Sequence, residues 1–145
     1  MNSDPSPIAE ALNGYKSAVY AKNLEAFAAL YAQDIHVFDM WGQWSVQGII
    51  LWKEEARNWF GSLGSERVVV TIDDVSDYRS EGLVSGHATL TYSAISGEGQ
   101  KLRSLQNRIS MTVRQSEQGW KIVHQHTSAP IDFETMKPQL HRRPQ

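Results

Sequence analysis

The stretch Gly119-Trp120-Lys121-Ile122-Val123-His124-Gln125-His126-Thr127-Ser128-Ala129-Pro130 ends in turn chemistry and reads as a strand. Strand side chains alternate, so Trp120, Ile122, His124, His126 and Ser128 are expected to share one face. Two imidazoles and a hydroxyl then continue a face that starts apolar, where an apolar pocket needs polar groups. Three further strand-like runs precede it: Val68 to Val75, Leu83 to Ile95 and Leu102 to Gln115. In the second of these, Val84, Ala88, Leu90, Tyr92 and Ala94 form an apolar face against Ser85, His87, Thr89, Thr91 and Ser93. In the third, Ile109, Met111 and Val113 oppose Arg108, Ser110, Thr112 and Arg114. Each strand therefore offers one face to a core.

The part of the chain before these strands has helical period. Ser6-Pro7 reads as an N-cap followed by proline at the first helical position, and Ile8, Leu12, Tyr15 and Val19 form a stripe behind it. Asn23 is placed to cap a second helix carrying Leu24, Phe27, Leu30 and Tyr31. Ile35 to Asp39 is short and β-like, Met40 to Gly48 is an aromatic-rich loop, and Ile49, Trp52, Ala56, Trp59, Phe60 and Leu63 define a third helix. Helices followed by consecutive long strands predict an α+β fold. Three N-terminal helices would pack on a strongly curved antiparallel meander sheet and leave a conical cavity.

The 145 residues, 41% hydrophobic and 21% charged, fit one globular domain with a core at about 8–132 and a flexible tail at 133–145. A net charge of −2 gives no basic footprint for nucleic acid or membrane. The absence of cysteine excludes disulfides and thiolate chemistry. The residues from Met1 to Pro7 lack the apolar core of a signal peptide, so a cytoplasmic location is expected.

The closing motif from Trp120 to Pro130 resembles the SnoaL-like, ketosteroid-isomerase-homologue branch of the nuclear transport factor 2-like superfamily. It is closest in motif to the association domain of calcium/calmodulin-dependent kinase II. Asn23-Leu24-Glu25-Ala26-Phe27 and Val37-Phe38-Asp39 resemble that domain too. The resemblance implies the cystatin-like roll. From the isomerase it also implies a phenol donor at Tyr15, a carboxylate base at Asp39 and a second oxyanion donor at or near Met111. No Asp or Glu occurs between Leu102 and Ser116, so the third member is absent and His124 or His126 would replace it.

Each candidate has two readings. Asp39 is a general base with a desolvated carboxylate, or a strand-end residue capping a turn. Tyr15 and Tyr31 are donors, or core tyrosines with one local partner. His124 and His126 are a hydrogen-bonding pair in a pocket or a structural pair; the set lacks the further ligands of a metal site, so no metal is expected. Arg108 binds a substrate carboxylate or lies at an outer-face dimer interface. Trp41 and Trp44 are candidates for a ligand-facing rim. The expected pocket lining comprises Trp41, Tyr31, Trp59, Leu90, Tyr92, Met111 and Ser128.

The expectation is a small-molecule pocket, with no cofactor, in a homodimer built through the outer sheet face. Acid–base isomerisation, hydration or dehydration of a carbonyl-bearing substrate is the enzymatic reading, with Asp39, His126, His124 and Tyr15 catalytic. A non-catalytic ligand-binding or oligomerisation module is the alternative.

Overall fold

The computed structural model describes residues 5–143. In chain order it contains α1 (Pro7–Ala21), α2 (Leu24–Ala28), β1 (Tyr31–Phe38), β2 (Val46–Gln47), α3 (Ile49–Ser62), β3 (Arg67–Ser80), β4 (Leu83–Ile95), β5 (Lys101–Ser116) and β6 (Gly119–Ser128). The fold is α+β. One six-stranded sheet runs β2-β1-β6-β5-β4-β3. Strands β3 to β6 form the expected antiparallel meander. One pair departs from it: β1 lies parallel to β6, and β2 is a short strand inside the expected loop. The long connection between β1 and β6 permits a parallel pairing that a hairpin could not make.

Both N-caps work as their sequences suggest. Ser6 Oγ accepts from Ala9 N and Asn23 Oδ1 from Ala26 N. The α1 stripe of Ile8, Leu12, Tyr15 and Val19 is buried. It packs with Phe27, Trp52, Ala56 and Phe60 onto an inner sheet face of Val84, Ala88, Leu90, Ile109, Met111 and Val113. Ile8 of α1 packs directly on Gly86, where a Cβ would stand 2.6 Å from the Ser76 carbonyl oxygen of β3 and 2.7 Å from Ile8 Cγ1. Any larger residue there would push α1 off the sheet.

Three irregularities in the antiparallel ladders curve the sheet. The β3–β4 register shifts between Asp73 and Ser76, with Asp74 at φ 57°. The β4–β5 register shifts between Ala94 and Ile95, and the β5–β6 register between Thr112 and Val113. An extra residue on one strand increases local twist and reverses the facing of everything beyond it.

The segment after Phe133, expected to fray, folds back along the sheet. Ile131 pairs with Pro138, Gln139 N donates to Pro130 O at 2.8 Å, and Gln106 N donates to Leu140 O at 2.7 Å. The reason is an open edge: β6 stops at Ser128 opposite Arg108, leaving the outer part of β5 without a neighbour. Readings that fall on residues 1–4 and on Pro144 lie outside the described residues.

Candidate functional site

A cavity of about 690 Å³ lies between the helices and the inner sheet face. Its helical wall is aromatic, with Tyr15 from α1, Phe27 from α2 and Trp52 and Trp59 from α3. The sheet contributes Tyr92 and Ala94 from β4, Arg103, Leu105 and Asn107 from β5, and Gln125 from β6. Asp39 and Trp41, just past the end of β1, stand at one side; Leu140 and His141 stand at another. Volume and lining suit a small organic molecule with an apolar body.

The bulge in β6 decides which polar groups reach this cavity. Val113 pairs with Ile122 but Thr112 pairs with His124, so Val123 is the extra residue. Ile122 points into the core; beyond the bulge Gln125 and Thr127 are the buried ones. The expected single face of Trp120, Ile122, His124, His126 and Ser128 is thereby broken. His126 is exposed and His124 half-buried. Both rings pack against Phe38, at 5.4 and 5.0 Å between centroids, outside the cavity. His124 Nδ1 donates to His36 O at 2.8 Å. Ser128 Oγ accepts from Arg108 Nε at 3.2 Å, which puts the exposed Arg108 on the outer face as well.

Asp39 is held in place by a residue that strict alternation sends outward. Thr127 Oγ1 donates to Asp39 Oδ1 at 3.0 Å and accepts from Met40 N at 2.9 Å. Burial raises the Asp39 pKa above the ordinary carboxylate value; the Thr127 hydroxyl and the Trp41 and Met40 amides oppose the rise without cancelling it. Behind it, Tyr31 Oη donates to Gln125 Oε1 at 2.8 Å. Burial pushes the Tyr31 phenol upward too.

A second polar element lines the same cavity. Tyr15 Oη and Tyr92 Oη share a hydrogen bond at 3.0 Å, with their rings edge to face. Burial raises the Tyr15 phenol well above its usual value and pushes Tyr92 up to about 12. Both stay protonated at neutral pH; one O–H is spent on the other phenol, which leaves one to donate to a ligand. Beside them, Asn107 Nδ2 makes a contact of 3.4 Å to Met40 Sδ, while Asn107 Oδ1 is buried with no partner. Among the described residues no group pairs with that oxygen, and an orphaned polar atom in a cavity lining is one a ligand would satisfy.

Of the expected lining, Trp41, Trp59 and Tyr92 reach the cavity, and so do Tyr15 and Asp39 of the expected catalytic set. Tyr31, Leu90 and Met111 are buried in the core behind it. Asn107, four residues before Met111 on the same face of β5, is one of the β5 residues that reach the cavity. Trp44 is 96% exposed and Trp41 54%, so only Trp41 serves as rim. Asn107 was readable, since it continues the inward alternation of Ile109, Met111 and Val113. Gln125 and Thr127 were masked by the bulge. Among the described residues no three His, Cys, Asp or Glu gather in a metal-binding cluster, and no helix is long and apolar enough to cross a membrane.

This cone of helices and curved sheet around an aromatic cavity is the NTF2-like, cystatin-like fold. The SnoaL-like domain family matches residues 8–132, and the chain belongs to that family. An NTF2-like protein of unknown function from Pseudomonas putida KT2440 superposes with TM-score 0.80 at 21% identity, covering 94% of both chains. Aln2 from a Streptomyces species gives TM-score 0.72 at 15% identity, over 85% of this chain and 91% of its own. A Xanthomonas campestris protein provisionally described as a calcium/calmodulin dependent protein kinase II association domain gives 0.70 at 17%, over 90% and 91%. These likenesses concern the fold. No curated protein matches the sequence.

Proposed function

We propose that the cavity binds a small carbonyl-bearing molecule and performs acid–base chemistry on it, with Asp39 as the proton acceptor. The observation that carries this reading is the placement of a desolvated carboxylate in the same apolar cavity as the Tyr15–Tyr92 hydroxyl pair. A base with a raised pKa takes a proton from carbon more readily than an ordinary carboxylate, provided it is ionised at working pH. Electron density from the broken C–H bond moves to the carbonyl oxygen, and preorganised O–H donors hold that charge. The free O–H of the Tyr15–Tyr92 pair fills this role in place of the histidines, and the other phenol orients it. A half-turn of the Asn107 amide would bring a second donor. The proton on Asp39 then returns to carbon, which gives isomerisation, or leaves with a β-hydroxyl, which gives dehydration.

One observation favours a binding-only reading. The Thr127 hydroxyl and two backbone amides hold the Asp39 carboxylate, much as they would a turn cap. A thermal-shift screen of small carbonyl compounds, followed by turnover assays on the hits, separates the two. For the enzyme, Asp39→Asn keeps ligand binding and loses turnover by ~10²-fold or more, the usual scale of general-base removal. Unchanged turnover in that variant would sink the assignment of Asp39, and binding without turnover in the wild type would leave the binding module.

A further inference from the structure

Part of the cavity wall lies beyond the family's own domain. The SnoaL-like match ends at residue 132, yet Leu140 and His141 line the cavity. The segment that carries them is tied at both ends. Leu140 O accepts from Gln106 N, Arg142 N donates to Gln106 Oε1 at 2.6 Å, and Arg142 Nη1 pairs with Asp74 Oδ2 at 2.8 Å. Its earlier half is held by the Ile131–Pro138 bridge and the Gln139–Pro130 hydrogen bond. These bonds hold the segment against the sheet, with Leu140 half-buried and His141 exposed at the edge of the cavity. His141 Nε2 lies 2.9 Å from the Ser104 carbonyl oxygen. A carbonyl only accepts, so Nε2 carries the hydrogen, and Nδ1 of the neutral ring remains an acceptor.

We propose that Leu140 and His141 are specificity-determining residues, selecting a ligand whose apolar ring body reaches Leu140 and whose outer end carries a hydroxyl that donates to His141. This rests on the small-molecule reading of the cavity and adds a second recognition point at its mouth, away from the Tyr15–Tyr92 pair. Sequence outside the family's domain would thus set what this member binds.

The test uses 2-acetyl-6-hydroxynaphthalene and 2-acetyl-6-methoxynaphthalene, titrated calorimetrically into the full chain. Both carry the carbonyl and the apolar ring body; a methyl replaces the hydroxyl hydrogen in the second. The wild type is expected to prefer the hydroxyl compound by about 5-fold, the scale of one net hydrogen bond. His141→Phe is expected to bring the two compounds within about 2-fold while still binding the methoxy compound, because only the acceptor is gone. Leu140→Ala is expected to weaken both by about 3- to 10-fold through lost apolar contact, and Leu140→Met, of similar bulk, to bind as the wild type does. Circular dichroism checks that each variant is folded. A hydroxyl preference that survives His141→Phe, or affinities unmoved by Leu140→Ala, overturns the inference and leaves the cavity reading standing. Failure of both compounds to bind the wild type contradicts the cavity reading itself, and the inference falls with it.

Discussion

On the outer face of the sheet, His36, Phe38, His124 and His126 lean on one another edge to face, with His126 open to water. On the inner face, one residue away along the same strand, Gln125 and Thr127 are enclosed and hydrogen-bonded to Tyr31 and Asp39. The histidines are the residues whose chemistry usually attracts attention. Burial raises the pKa of the inner carboxylate and of the phenols. Around the cavity, enclosure marks the groups with altered chemistry. In β6 a single extra residue, Val123, decides which groups are enclosed.

A pair of point variants puts the contrast between the two faces to the test. Gln125 is 1% exposed, so Gln125→Ala opens a void and leaves the Tyr31 hydroxyl unpaired, at a cost of about 2–4 kcal/mol. His126→Ala on the outer face should stay within about 0.5 kcal/mol of the wild type, as exposed substitutions do. Equal costs from the two variants would erase the distinction.

The same bulge marks how far the sequence could be read. Strand existence, the apolar faces of β4 and β5 and the α1 stripe follow from period alone, and all are where alternation puts them. Asp39 and Tyr15 were placed by resemblance, and both line the cavity. What escaped is local geometry without a compositional mark. Val123 looks like any strand valine, so its insertion opposite β5 cannot be inferred, and alternation puts every residue after it on the wrong face. The tail escaped for a different reason: its basic, proline-containing composition reads as loose, and the vacant edge that holds it exists only once β6 has ended early.

The claim on which the account rests is that Asp39 is a desolvated carboxylate, and its titration can be watched directly. In protein labelled with carboxyl-¹³C aspartate, NMR spectra across pH 3 to 8 follow each side chain, and Asp39→Asn identifies the signal by its loss. Burial opposes the charged form, so Asp39 is expected to hold its proton to higher pH than the ordinary value of 3.8. Turnover on any substrate found should rise with pH through that same midpoint, since only the ionised form accepts a proton. An Asp39 signal that titrates at or below the ordinary value would contradict the account: the Thr127 and amide hydrogen bonds would then outweigh burial, and Asp39 would be a turn cap.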